Sequence, residues 1–139
     1  MPSPEAHLNK ADRDIKAYQA IPPEYPEWRA AALFYAAVHF VEALAVTEQS
    51  PHVEHSARER WVRKQHPTIW AAFSRLKQES EKARYLTLRA YAVDADWQQG
   101  AFSLSPEQVD KQLYRGCVIQ IRDYVRARVQ AAPAAKLKL

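Results

Sequence analysis

Cysteine is almost missing from this chain of 139 residues, which has one, Cys117, and so has no internal disulfide to build. A reducing cytosol is then the default compartment. Glycine is nearly as scarce, with only Gly100 and Gly116. That scarcity argues against a β-sandwich and against a glycine-rich nucleotide-binding loop. No leader is read at the N-terminus, because Met-Pro-Ser-Pro-Glu-Ala-His has no basic patch followed by an apolar run. No membrane span is expected either. Residues 30–46 approach the required length, but His39 and Glu42 lie inside and basic anchors are missing from the flanks.

What is present is ordinary for a soluble globular chain: 47% hydrophobic residues, 26% charged, and a net charge of +4. The length suits one domain with its own core. The charge permits a nucleic-acid partner without requiring one.

The chain is organised around residues 28–46, Ala- and Leu-rich and free of Gly and Pro. Leu33, Ala37, Phe40 and Leu44 form one apolar row, and Phe34, Val38, Val41 and Ala45 the next. A helix apolar on so many sides is the centre of a bundle. A third row, Trp28, Ala32, Tyr35, His39, Glu42 and Val46, places a Tyr, a His and a Glu on one face.

The remaining pieces read as helices around it. Ser3 caps a first helix opened by Pro4, with Leu8, Ala11, Ile15 and Tyr18 as its stripe and Lys10, Asp12, Arg13, Asp14 and Lys16 on wetter faces. Ile-Pro-Pro-Glu-Tyr-Pro (21–26) is an extended connector, and the central helix runs from Pro26 or Glu27 to about Glu48. A loop over 49–55 leads to a short basic helix, 56–65, broken at His66-Pro67. The next helix spans 68 to about 91, with Ile69, Phe73, Leu76, Ser80 and Ala83 inward and Lys77, Glu79, Glu81 and Lys82 solvated. Residues 94–100 form a turn-rich loop. Leu104, Ser105, Pro106 and Gln108 then announce the last helix by a capping box and a staple against Val109. Its stripe is Val109, Leu113, Cys117, Ile121, Tyr124 and Val129, ending near Gln130 before a frayed tail, 131–139. The fold class is all-α: a single domain with a core over about 4–130, built as an antiparallel bundle of four or five helices.

Three stretches carry a resemblance. They are Ala-Leu-Phe-Tyr-Ala-Ala-Val-His-Phe-Val-Glu-Ala (32–43), His55-Ser-Ala-Arg58, and Leu76-Lys-Gln-Glu-Ser80 leading to Ala83-Arg84-Tyr85. With Gly-Ala-Phe-Ser-Leu-Ser-Pro-Glu-Gln (100–108) before a final long helix, the order over 28–130 resembles the HEPN superfamily of small helical domains. That resemblance implies a bundle that dimerises side by side. It also implies metal-independent RNA cleavage in toxin–antitoxin or defence settings, or a degenerate, silent relative. Active members carry an Arg, four to six residues, then a His on a late helix. The Arg holds phosphate and the His moves a proton. Here no His follows Arg84 or Arg89, and the only match is Arg60 to His66 on the short basic helix.

The resulting candidates are Arg60, Arg84, His39, His55 and His66 for catalysis, and Tyr35, Glu42, Arg58, Arg63 and Tyr85 for substrate. Glu42 requires a cationic partner if buried, and Arg84 is the first choice. His55 and Arg58 cover the mouth of the Tyr35/His39 row. Arg58, Arg60, Arg63, Lys64 and His66, with Trp61 among them, form a basic patch suited to phosphates and a stacked base. His52 and His55 lack a third ligand for a metal, and neither metal nor cofactor is expected. The leading expectation is a cytoplasmic, homodimeric HEPN-like protein that binds or cleaves RNA. Beside it stand a catalytically silent adaptor with a protein partner, and a small-molecule pocket lined by Tyr35, His39 and Arg84. For each candidate the plainer alternative is a satisfied core residue or a solvated face.

Overall fold

The computed structural model describes residues 2–52, 54–84 and 102–132, and all regular structure among them is helical. We label the elements α1 (Pro4–Ala20), α2 (Pro26–Thr47), α3 (His55–Gln65), α4 (Pro67–Arg84) and α5, a continuous rod made of Pro106–Gln108, Val109–Val118 and Ile119–Ala131. The all-α bundle expected from the periodicities is what forms. Tyr85, Arg89 and the expected end of the fourth helix lie outside the described residues, as do the 94–100 loop and most of the tail.

The bundle centre is α2, packed against α1, α4 and α5. It is long and apolar enough to cross a bilayer, and 72% of its most apolar 18-residue window is buried inside the protein. Phe34 and Phe40 meet Phe73 of α4 and Leu113 and Ile121 of α5 in one core, all at 1% exposure or less. Each such side chain contributes roughly 1.5–3 kcal/mol on burial.

The ends of the helices are set by local chemistry. The Ser3 hydroxyl accepts from the Ala6 amide at 3.1 Å, capping α1 ahead of Pro4. At the end of α2, Ser50 N–H donates to the Ala45 carbonyl at 2.7 Å and Gln49 N–H to Val46 at 3.0 Å. That is a Schellman closure with Gln49 in the left-handed position, φ 60°. The Ser105/Gln108 capping box forms with both its bonds.

The buried row of α5 is Val109, Leu113, Cys117, Ile121 and Val125, strict steps of four. On an α-helix each such step advances about 40° round the axis, so the row would wind away from α2 within a few turns. Over Val109–Val118 the helix is instead wound with π-type i→i−5 bonds, and the Cys117 thiol likewise reaches the Gln112 carbonyl at 3.3 Å. Slower winding over Val109–Val118 offsets the advance that the α-helical steps to Ile121 and Val125 add. Gly116 sits in this stretch, where an added Cβ would come within 3.2 Å of the Lys111 carbonyl.

Three sequence expectations change. Asp14, expected wet, is buried, with one carboxylate oxygen held by Lys10 at 2.6 Å and Oδ2 unpartnered. Glu79, also expected wet, is buried between Arg75 at 3.6 Å and Lys82 at 3.3 Å, neighbours on its own helix. On α5, Val125 rather than Tyr124 carries the deep row, because the Tyr124 ring turns toward His66.

The chain's residue choices at two positions give paired predictions. Gln49→Gly is expected to raise stability by up to about 1 kcal/mol, since a left-handed non-Gly residue costs roughly that much. Gly116→Ala, which in an ordinary helix interior gains about 1 kcal/mol, is expected to give no gain. Urea unfolding of both variants reads the two signs.

Candidate functional site

The site is built outward from one buried ion pair. Arg58 and Val62, four apart on α3, both turn inward. Arg58 Nε donates to Glu42 Oε1 at 2.7 Å, with both side chains 7% exposed. The remaining donors of Arg58 reach His55 Nδ1 at 2.9 Å and, more weakly, the His52 carbonyl at 3.5 Å. Glu42 Oε2 accepts from the His52 amide at 3.3 Å. One glutamate on α2 thus fixes both the loop before α3 and the first turn of α3. The cation expected on Glu42 was Arg84; the structure puts Arg58 there, because α3 brings its inner face directly over the glutamate.

This pair forms a wall with an opening on either side. On one side Phe34, His55, Ser56, Glu59, Lys77, Glu81 and Arg84 line a cleft of about 290 Å³. Arg84 donates to the Tyr35 hydroxyl at 3.2 Å and to Ser80 Oγ at 3.0 Å, and its guanidinium lies 5.8 Å from the Phe34 ring centroid. Tyr35, His55, Arg58 and Arg84 are therefore brought together, with Glu42 behind them. Burial holds the His55 pKa below its usual value, and Arg58 and Arg84 push it the same way. Arg58 is always a donor, so His55 Nδ1 must accept and the neutral ring carries its proton on Nε2. His55 is fixed as a donor toward the opening.

The same cleft continues along the α3–α4 seam. Ser56, Glu59 and Lys77 also line a groove of about 550 Å³ with Arg60, Arg63, Trp70, Ser74 and Gln78. Arg63 stands 5.7 Å from the Trp70 ring centroid. Lys77 bridges Glu59 at 2.9 Å and Glu81 at 3.2 Å, and these partners raise its pKa.

On the other side of the wall, His39 faces away from His55 into a second cleft of about 390 Å³, with His7, His52, Val38, Val46 and Pro51. The Nδ1 atoms of His7 and His39 are 3.1 Å apart. Burial lowers the pKa of His7, His39 and His52, against the pull of nearby carboxylates.

The single basic patch expected on α3 is divided. Arg60 and Arg63 point outward, while Arg58 and His66 turn in. His66 Nε2 bonds Glu48 at 2.8 Å and Nδ1 meets the Tyr124 hydroxyl at 2.7 Å. Arg60 and His66 are not brought to one point. Trp61 packs between His52 and His66, at 5.2 and 4.8 Å between centroids, so the aromatic beside the outward arginines is Trp70. Among the described residues no set of three or more His, Cys, Asp or Glu side chains forms a ready metal cluster. Sequence reasoning missed His7 and Glu48. His7, Ala11, Asp14 and Tyr18 do recur at helical spacing, so that signal was present.

Removing one partner of the buried pair leaves an uncompensated charge, so Arg58→Ala or Glu42→Ala is expected to cost about 3–5 kcal/mol. The Glu42→Leu/Arg58→Met double variant is expected to lose less than either, measured by denaturant midpoint. Acidification gives a further test. His7 and His39 have folded-state pKa values below the reference of 6.5. The unfolded chain therefore binds more protons below that value, and stability is full above it and declines as pH falls. The melting temperature is expected to fall below about pH 6.5, less steeply in His7→Asn/His39→Asn.

Among known proteins, no family model, no curated sequence and no solved structure matches this chain, so its functional reading falls on the geometry of these two openings.

Proposed function

We propose that this is a HEPN-like domain that binds single-stranded RNA along the α3–α4 groove. The carrying observation is the continuity of that groove. Arg60 and Arg63 stand at one end beside Trp70, Lys77 lies at the middle, and Arg84, Tyr35 and His55 are at the other. Spaced cations beside an aromatic ring suit a backbone with unstacked bases, in which arginines neutralise phosphates and a base stacks with the partly exposed Trp70 and its neighbouring Arg63. Glu59 and Glu81 share the one charge of Lys77 and leave the middle of the groove net negative, so the positive field comes from Arg60 and Arg63 at one end and Arg84 at the other.

The same geometry favours binding over cleavage. A metal-independent nuclease needs a general base within reach of the ribose 2′-hydroxyl. His55 presents an N–H rather than a lone pair, and His66 has both ring nitrogens engaged within the bundle.

A second reading, a homodimeric adaptor for protein partners, is favoured by one other observation. Among the described residues Tyr25, Trp28 and Tyr35 are the large hydrophobics that stay exposed, at 47%, 57% and 41%, all on α2 or its first cap.

Fluorescence anisotropy with a labelled single-stranded oligoribonucleotide across a salt series separates these. Binding is expected to weaken with salt. Arg60→Gln/Arg63→Gln is expected to shallow the log–log slope by about 1.4, some 0.7 for each lost phosphate contact. Intact oligonucleotide in EDTA is the expected result for binding without cleavage. Salt-insensitive or absent retention, with self-association lost on Trp28→Ala, would instead establish the adaptor.

A further inference from the structure

The second cleft is not used by the RNA-binding reading, and its chemistry is different. Two imidazoles from separate helices, His7 on α1 and His39 on α2, direct their Nδ1 atoms toward one another 3.1 Å apart, with ring centroids 5.3 Å apart and planes tilted by 30°. Two imidazoles on one tetrahedral zinc ion, with bonds of about 2.0–2.1 Å, place their nitrogens about 3.3 Å apart and their centroids about 5.2 Å apart. The pair therefore needs only a few tenths of an ångström of adjustment to chelate an ion.

We propose that His7 and His39 form a two-histidine site for a first-row divalent metal of the zinc class, clamping α1 to α2. Four features of the surroundings support it. The 3.1 Å Nδ1···Nδ1 contact is a hydrogen bond between two imidazoles, so one ring already aims a lone pair into the space between them and the other an N–H. Where the pair shares one Nδ1 proton, that proton moves to Nε2 of the same ring when the ion binds, and no net charge leaves. Carboxylates supply a favourable field: Glu42 acts on His7, and Asp14, whose Oδ2 is buried without a partner, acts on His39. Arg58, facing both rings, and Lys10, facing His39, oppose that field, and each is already held by a carboxylate, Glu42 and Asp14 respectively. Finally, the cleft of about 390 Å³ opens beside the pair and leaves room for water in the remaining coordination positions. With two protein ligands the site is labile, unlike a closed structural zinc site.

The test is titration of the EDTA-dialysed full chain with ZnCl₂ by calorimetry at pH 7.5, with Co²⁺ absorption as a second readout. One equivalent is expected to bind and to raise the melting temperature. Affinity is expected to fall at least tenfold in His7→Ala and in His39→Ala, and also on acidification as the two rings take up protons. His7 lies on the outer turns of α1, so circular dichroism of His7→Ala shows whether a loss of binding is local. His55→Ala, in the other cleft, is expected to bind zinc as the wild type does. No binding by the wild type overturns the proposal. So does binding that survives both His7→Ala and His39→Ala, which marks adventitious coordination elsewhere. Neither result bears on RNA retention in the α3–α4 groove.

Discussion

The Glu42–Arg58 pair is the constraint on which the functional part of this fold depends. A carboxylate so deep in an apolar helix is tolerable only with a cation and further hydrogen bonds. Arg58 supplies the cation, and the His52 amide supplies another bond. Satisfying that single glutamate fixes where α3 starts, which face it turns inward, and how the loop before it runs. It also sets the His55 tautomer. A charge that costs stability in isolation thereby specifies the position of an entire helix whose own apolar content is low.

That arrangement separates two chemistries. The outer groove holds cations, the Trp70 indole and a histidine whose Nδ1 accepts from Arg58. The inner cleft holds neutral imidazoles under apolar cover, with carboxylates nearby. The row Tyr35, His39, Glu42 on α2 reaches both: Tyr35 to the groove through Arg84, His39 to the inner cleft, and Glu42 to the wall between.

The apolar rows of α2, the stripe of α1 and the capping box of α5 were legible because each is a local pattern whose period states its own geometry. The direction of single side chains on α3 was not. Arg58, Arg60, Arg63 and His66 look alike in a basic run, and only the position of Glu42 and Tyr124 in three dimensions sorts them. Burial of Asp14 and Glu79 was hidden for a related reason. The lysine or arginine that covers each lies on its own helix, and helical spacing alone does not show that such a pair will be packed under a neighbour. The π winding of α5 had a visible trace, apolar residues at strict steps of four, which an ordinary helix reading smooths over. The end of α2 had none, since Gln49 occupies a position where glycine is the usual sign.

The His66–Pro67 corner has a consequence for the groove. Both groove walls, α3 and α4, spring from that corner, and His66 is clamped by Glu48 of the α2 cap and Tyr124 of α5, whose ring face is covered by Arg128 at 3.6 Å. At its far end α3 is held by Arg58 on Glu42. The two walls are thus pinned to α2 and α5 at the corner and again to α2 at the far end, α4 through Arg84 on the Tyr35 hydroxyl, and their separation is set before any ligand arrives. On the proposed RNA-binding reading, a strand would meet a preorganised surface, and the ordering cost of complex formation would fall on the ligand rather than on the protein.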